Sequence, residues 1–151
     1  MRLVIGSDHA AVSERLALAE HLVKAGHQVA DKGCPPGASV DYPDVAAEVA
    51  RSVAAGEAER GFLLCGTGLG VCMAANKVAG VRAAPLSDGF TAEMARRHND
   101  ANVACFGARL LSAHAIVRLA DVFLATPFEG GRHAGRVAKI NALDGAGGCC
   151  A

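Results

Sequence analysis

The sequence is poor in aromatic side chains, with no tryptophan, one tyrosine and five phenylalanines among 151 residues. Few rings are therefore available to stack on an isoalloxazine, which argues against a flavin-binding protein. Acidic and basic residues are equal in number, fifteen of each, so the formal net charge is zero. No overall field favours nucleic acid or an anionic membrane as a partner, and any anion site must be local.

Long apolar runs are missing near the N-terminus, where Asp8 and His9 interrupt MRLVIGSDHA before a signal peptide or a membrane span could be completed. We therefore expect a cytoplasmic protein with no membrane partner. The six cysteines include no C-x-x-C pair and no histidine at zinc spacing, so we expect reduced thiols and no metal site. Cys149 and Cys150 follow GAGG at the C-terminus, in a predicted flexible tail over 145–151, and we assign them no function.

The remainder of the chain suits one domain, predicted over 1–144, because 151 residues match the usual domain size of ~150 and 52% of them are hydrophobic. Short aliphatic runs alternate with longer segments of helical period, which is typical of βαβ units and predicts a three-layer α/β/α fold around a parallel sheet. The predicted strands are Leu3–Gly6, Gln28–Asp31, Gly61–Cys65, Val81–Leu86 and Asn102–Phe106.

Helices are predicted between these strands from apolar residues at spacings of three and four. The first follows this pattern from Val12 to Val23, and Gly26 stands where a helix C-terminus would need it. The others are predicted near Pro43–Ala55, Gly70–Lys77, Thr91–His98, Ser112–Ala125 and Arg132–Leu143. Ligands of parallel sheets bind beyond the carboxyl ends of the strands, so the loops there are the candidate sites.

The loop after the third predicted strand, within GFLLCGTGLGVCMAANK, is the most informative of these. A dinucleotide fingerprint and a cysteine-phosphatase loop both fail because Val71 occupies the position that needs glycine or arginine. A Walker loop fails because Lys77 lies seven residues beyond Gly70. A glycine-rich turn into a helix remains, whose N–H groups can bind an oxyanion and stabilise a thiolate at Cys65. The alternative is that Cys65 is an inert core residue beside a tight turn, and this segment alone leaves both interpretations open.

Three further segments carry polar side chains whose ordinary interpretation is structural. In GSDHA, Asp8 could cap the next helix while His9 lies in its exposed first turn. In RRHNDANVACFGARLL, His98 and Asn99 precede a strand and Arg109 follows it.

In EGGRHAGRVAKI, Arg132 and Arg136 are four residues apart at a helix start, where basic residues oppose the macrodipole. A bound phosphate would remove that conflict, because two neighbouring guanidiniums can hold it.

Taken together, GSDHA, DYPD, CGTGLG, AANK with GVRA, RRHNDANV with FGAR, and GGRHAGR resemble the family of ribose-5-phosphate isomerase B and galactose-6-phosphate isomerase. The resemblance covers nearly the whole chain, in order and spacing. It implies a Rossmann-like or flavodoxin-like domain with strand order 2-1-3-4-5. It also implies homodimers, often paired into tetramers, whose active sites are shared between subunits, and no metal or organic cofactor.

The same resemblance implies a role for each candidate residue. Cys65 matches the base that moves a proton between two sugar carbons, and the glycine loop Gly66, Gly68 and Gly70 matches the part that stabilises the enediolate. By the same resemblance Asp8 bonds sugar hydroxyls, and His98 with Thr67 assists opening of the sugar ring. The phosphate-binding positions are His9, Arg109, Arg132 and Arg136, and those lining the sugar pocket are Tyr42 and Asn99.

Some relatives replace the cysteine by a glutamate one residue beyond the last glycine, where this chain has Val71. The chain thus matches the cysteine-dependent kind, and Cys34, Cys72 and Cys105 are interpreted as packing residues. The expected activity is the interconversion of ribose 5-phosphate and ribulose 5-phosphate through an enediolate, with a sugar phosphate as the only small-molecule partner.

Four alternatives stay open at this point. The substrate could be a hexose 6-phosphate (allose or galactose) or an unphosphorylated aldose. The chain could also be a non-catalytic subunit of a heteromeric galactose-6-phosphate isomerase, although the joint presence of Cys65, Thr67 and His98 argues against it. The remaining one is a non-enzymatic flavodoxin-like binding module, which the scarcity of aromatic residues and the lack of an acidic cluster around Asp8 disfavour.

Overall fold

The computed structural model describes residues 1–145, so Cys149, Cys150 and nearly all of the predicted tail lie outside the described residues. The described part contains five strands: β1 Arg2–Ser7, β2 Gln28–Asp31, β3 Arg60–Cys65, β4 Ala83–Pro85 and β5 Val103–Gly107. Its six α-helices are α1 Val12–Lys24, α2 Tyr42–Ala54, α3 Leu69–Ala75, α4 Gly89–Arg97, α5 Ala113–Ala125 and α6 Arg132–Asn141. Short 3-10 turns at His9–Ala11 and Ala142–Gly145 precede α1 and follow α6.

All strand pairs are parallel, which confirms the predicted fold class. Leu3 and Ile5 of β1 pack with α1, α4 and α5 on one face, whereas Val4 packs with α2 and α3 on the other. This alternation follows from the two-residue period of a strand, and covering both faces gives the three layers. No helix within residues 1–145 is long and apolar enough to cross a membrane.

The strand order is β2-β1-β3-β5-β4, so the predicted order of the last two strands was wrong. Val103–Gly107 is buried throughout and pairs on both sides, whereas β4 is three residues long and partly exposed. Pro85 explains why β4 lies at the edge, because a proline has no N–H for a second neighbouring strand. The correction places β5 beside β3, so that Cys65 pairs with Gly107 at the carboxyl edge of the sheet.

Residues close in sequence explain where two of the helices end or begin. Gly26 has φ of +87° and its N–H bonds the carbonyl of Val23, which confirms the predicted stop after α1. Helix α4 begins two residues earlier than predicted because Asp88 and Thr91 form a reciprocal capping box at its N-terminus.

Candidate functional site

A cavity of about 340 Å³ opens at the carboxyl edge of the sheet, where β1, β3 and β5 end. Its walls come from the loops after these three strands and from the first residues of α2 and α3. The lining residues are Asp8, His9, Ala10, Tyr42, Cys65, Gly66, Thr67, Gly70 and Arg109. All but Ala10 were predicted from the sequence as site residues, and the register of the parallel strands is what brings them together.

Cys65 is the last residue of β3, and its side chain is almost completely buried. Its Sγ accepts a hydrogen bond from the Gly68 N–H at 3.1 Å. Gly68 has φ of +78°, and a Cβ at this position would lie 2.9 Å from the carbonyl carbon of Phe106. Only glycine fits there, and the turn it permits aims a backbone N–H at the sulfur. A backbone donor in this position favours negative charge on the atom that it faces.

Two other close approaches shape the cavity. A Cβ at Gly70 would lie 2.7 Å from the ring of Tyr42, so the first turn of α3 packs directly on that ring. A Cβ at Gly107 would lie 2.7 Å from the carbonyl of Thr67, so the end of β5 touches the glycine loop. Gly107 was not among the predicted site residues. Its only sequence signal was its place in the FGAR segment.

Arg109 brings positive charge to the cavity. The N–H groups of Ala108 and Arg109 bond the carbonyls of Cys65 at 2.9 Å and Gly66 at 3.0 Å, which ties the loop after β5 to the cysteine loop. A Cβ at Gly66 would come within 3.2 Å of the Arg109 Nε, so the side chain lies over that glycine. The side chain of Arg109 forms no ion pair within residues 1–145, which leaves its charge available for an anion.

Asp8 and His9 line the cavity from the β1 side. One carboxylate oxygen of Asp8 caps the following turn by accepting from the Ala10 N–H at 2.9 Å, as its structural interpretation predicted. Asp8 is nonetheless a lining residue of the cavity, so the two interpretations are compatible. The Nδ1 of His9 lies 3.3 Å from the carbonyl of Val40 and 3.3 Å from the Ser39 hydroxyl. These contacts fix the ring, and a bond to a carbonyl requires a proton on Nδ1.

Five predicted site residues do not line this cavity: Gly68, whose N–H bonds the Cys65 sulfur, and His98, Asn99, Arg132 and Arg136. His98 caps the C-terminus of α4, and its ring stacks on the ring of His133 with centroids 4.1 Å apart and planes 5° apart. Arg132 and Arg136 lie at the start of α6, as predicted. Both are exposed, and neither forms an ion pair within residues 1–145. The predicted site is therefore in two parts, a Cys65 half and a His98 half.

The turn after His98 and Asn99 is held by an arginine clamp. Asp100 has φ of +45°, a left-handed conformation that costs energy in a residue other than glycine. Its carboxylate accepts from Arg96 at 2.7 Å and from Arg82 at 3.1 Å, and Arg82 also bonds its carbonyl. Arg96 is buried, and it bonds the carbonyl of Ala101 at 2.7 Å as well. Arg96 of α4 and Arg82 of the segment before β4 thus hold the turn that places His98 and Asn99.

His98, Glu129 and His133 are the one group within the described residues that could hold a metal ion, with ligand atoms within 4.8 Å of one another. The lone pair of an imidazole nitrogen lies in the plane of its ring. Since these two rings are stacked nearly parallel, their lone pairs lie in separate planes and do not converge on one point. The geometry favours a stacked pair over a metal centre. Neither Glu129 nor His133 was predicted as a functional residue, although His133 stands inside the GGRHAGR segment.

The remaining cysteines of the described part are buried and unbridged, as expected for packing residues. Burial raises the pKa of the Cys105 thiol well above its ordinary value. The pKa of Cys72 is lowered, chiefly by its hydrogen bond with Cys105. Neither Cys72 nor Cys105 lines the cavity that contains Cys65.

Known proteins resemble this chain in sequence over nearly its whole length. The family model described as Ribose/Galactose Isomerase matches residues 3–140. Ribose-5-phosphate isomerase B of Escherichia coli is 41% identical over 143 residues, which cover 95% of this chain and 96% of the relative. D-erythrulose-4-phosphate isomerase of Pectobacterium atrosepticum is 39% identical over 141 residues, covering 93% of each chain.

Solved structures with similar sequences also have the fold of this chain. Ribose-5-phosphate isomerase B of Clostridium thermocellum superposes with a TM-score of 0.93 at 44% identity, covering 95% of this chain and 97% of the other. The type B ribose 5-phosphate isomerase of Trypanosoma cruzi also gives 0.93 at 44% identity, covering 97% of this chain and 99% of the other. The chain belongs to the Ribose/Galactose Isomerase family.

Proposed function

We propose that this chain is an aldose-ketose isomerase that interconverts ribose 5-phosphate and ribulose 5-phosphate through an enediolate. The observation that carries the proposal is the Cys65 sulfur, which accepts the Gly68 N–H at 3.1 Å inside a cavity lined also by His9 and Arg109. A basic sulfur next to groups that attract a phosphate suits proton transfer on a sugar phosphate. Family membership supports the same chemistry.

The Cys65 thiolate is the base. It takes the proton from C2 of the open-chain aldose, the C2–H electrons form the C1=C2 bond, and the aldehyde oxygen becomes an enediolate oxyanion. The thiol then returns the proton to C1, the O2 hydroxyl proton moves to O1, and a carbonyl forms at C2. The thiolate is regenerated, so atoms and charge balance without a metal or an organic cofactor.

The glycine loop stabilises the enediolate. The Gly68 N–H bonds Cys65, and the Leu69 N–H bonds the Thr67 hydroxyl at 3.4 Å. Gly66 and Gly70 line the cavity, and an amide in the first turn of a helix has no partner within that helix. We assign the N–H groups of these two glycines to the enediolate oxygens, where charge develops.

The other candidate residues bind and open the sugar. His9, Arg109, Arg132 and Arg136 hold the phosphate, while Asp8, Tyr42 and Asn99 contact the sugar. His98 and Thr67 assist the opening of the furanose ring, which must precede proton transfer because only the open aldose carries a carbonyl at C1. The phosphate contacts lie away from the reacting carbons but fix the position of these carbons. Loss of an arginine should therefore lower turnover as well as affinity.

The two halves of this site meet in a homodimer in which one copy supplies the Cys65 half and the other the His98 half. Within one chain, His98, Asn99, Arg132 and Arg136 do not line the Cys65 cavity. Apolar side chains close in sequence to the cavity-lining residues Gly70 and Arg109 are exposed, namely Leu69 at 52%, Met73 at 66% and Leu110 at 68%. Exposed apolar area of this kind is typical of an interface between copies.

The chemistry is tested with metal-free, reduced protein and ribose 5-phosphate, by following ribulose 5-phosphate formation. Cys65→Ala should lower kcat by about 10²- to 10⁴-fold, the usual contribution of a general base. Cys72→Ala is the matched control, a buried cysteine outside the cavity, and should keep its activity. Equal turnover by Cys65→Ala and wild type would remove Cys65 as the base. Absence of wild-type turnover would move the assay to hexose 6-phosphates and free aldoses.

The shared site is tested by co-expressing two differently tagged inactive variants and isolating the hybrid dimers. A hybrid of Cys65→Ala with His98→Ala has one intact site of two and should recover about half of the wild-type activity. A hybrid of Cys65→Ala with Asp8→Ala carries both changes in the same half and should stay inactive. No recovery in the first hybrid would show that each chain builds its own site.

A further inference from the structure

His133 is the residue through which α6 approaches His98. It is 4% exposed and is one of two buried side chains on this helix, the other being Val137 at 7%. Its ring lies parallel to the His98 ring at a centroid distance of 4.1 Å. An apolar side chain would be sufficient to fill a core position. His133 instead presents an aromatic face to His98, a residue of the candidate site.

The polar edge of the His133 ring contacts Arg132, one of the residues assigned above to the phosphate. The Nε of Arg132 donates a hydrogen bond to the Nε2 of His133 at 3.3 Å, which requires Nε2 to be unprotonated. Burial lowers the pKa of His133, and the nearby His98 and Arg132 lower it further. The neutral ring at neutral pH therefore has an acceptor for Arg132 and an uncharged face for His98.

Within residues 1–145, no hydrogen bond orients the His98 ring. His98 follows the last turn of α4, and 36% of its side chain is exposed. The nearest carboxylate oxygen, on Glu129, is 4.0 Å from its Nε2, beyond hydrogen-bond distance. The stacked His133 ring therefore restricts rotation of the His98 side chain.

We propose that His133 is a positioning residue, whose aromatic face holds the His98 imidazole at a fixed orientation. The proposal rests on the proposed function, because it concerns the ring-opening step there assigned to His98. His133 itself does not touch the reacting atoms. A misplacement of about 1 Å in a catalytic group can cost ~10²-fold in rate, so the orientation of His98 should be visible in kcat.

Three variants test the stack. His133→Leu fills the space without an aromatic face, and His133→Phe restores the face without the polar edge. Val137→Ala is the control, because it removes the other buried contact of α6 and leaves the two rings unchanged. We expect His133→Leu to lower kcat at least ~10-fold with a smaller change in KM. We expect His133→Phe to recover most of that loss, and Val137→Ala to keep wild-type kcat even if its Tm falls.

The ring geometry is measured separately by NMR. In the stack, the Cε1–H signal of His98 is shifted by the ring current of its neighbour, so it should move in His133→Leu and stay nearly in place in His133→Phe. An unmoved signal in His133→Leu would overturn the stack. A moved signal with unchanged kcat would overturn the positioning role, as would an equal loss of kcat in Val137→Ala or a failure of His133→Phe to recover activity.

The two proposals fail in different ways. If wild-type protein turns over no sugar phosphate, the proposed function is wrong while the NMR arm still reports the stack. If wild type turns over and His133→Leu is equally active, the positioning proposal alone is wrong.

Discussion

The two halves of the candidate site are built by different means. In the Cys65 half, backbone groups do most of the positioning: the Gly68 N–H bonds the sulfur, and Gly107 lets β5 approach Thr67. In the His98 half, side chains hold other side chains, through the stacked histidines and the arginine clamp on Asp100. The first half rests on the centre of the sheet, whereas the second lies on helix ends and loops.

The two halves suit different steps of the proposed reaction. Proton transfer at carbon needs the base and the enediolate donors fixed within tenths of an ångström, and buried strand ends supply that rigidity. Ring opening and phosphate binding must admit a substrate, and side chains on exposed helix ends can do so. In the proposed dimer, the interface joins a rigid half from one copy to a more adaptable half from the other.

The largest expected effect comes from breaking the backbone-built half. Gly68→Ala introduces a Cβ at φ of +78°, 2.9 Å from a backbone carbon, so the turn must shift and the bond to Cys65 is lost. We expect kcat to fall by about 10²-fold, as for the loss of a preorganised donor. The control is Gly80→Ala, which has φ of +82° and no atom within 4 Å of the new Cβ.

Gly80→Ala should lower the free energy of unfolding by ~1 kcal/mol through backbone strain alone and leave kcat unchanged. Steady-state kinetics and urea denaturation measure both effects. A Gly68→Ala variant with normal kcat would show that the backbone of this loop does not control the chemistry.

The sequence predicts the backbone-built half better than the other half. Apolar runs mark the strands, and Cys65 followed by the glycines marks the turn, because both signals are local. Even the strand order had a local signal, because Pro85 excludes β4 from a central position in the sheet. Arg96 and Asp100 are four residues apart, but the contact of Arg82 with Asp100 and the stack of His98 on His133 join residues distant in the chain. Formation of these two distant contacts depends on how α4, α6 and the segment before β4 pack, and no spacing in the sequence encodes it.

A smaller effect is expected from loosening the side-chain-built half at its clamp. Arg96→Leu leaves the Asp100 carboxylate with one arginine and the Ala101 carbonyl without its donor. Because Arg96 is buried but Asp100 is 32% exposed, we expect the free energy of unfolding to fall by ~2 kcal/mol, less than for a fully buried pair. Arg97→Leu is the control on the same helix, since its ion pairs with Glu93 and Glu129 are exposed.

Arg97→Leu should cost less than ~1 kcal/mol, as exposed ion pairs do. Urea denaturation at pH 7 compares the two variants. An equal cost for both would mean that the clamp on Asp100 contributes no more than a surface ion pair, and that the left-handed turn holds without it.

The smallest expected effect is a pH dependence that originates at the histidine stack. The pKa of His133 is lowered by burial and by the neighbouring His98, Arg132 and Arg136, against which only Glu129 acts. Below about pH 6.5, the ordinary value for histidine, the unfolded chain binds a proton at this position that the folded chain does not. The free energy of unfolding should therefore decrease as pH falls from about 6.5 to the lower pKa of the folded state, and level off below it.

His133→Phe keeps the stack and removes this titration, so its stability should vary less with pH over that interval than that of wild type. Urea denaturation of the two proteins at pH 7.5, 6.5 and 5.5 measures the difference, and parallel curves would mean that the environment of His133 does not disfavour its protonation.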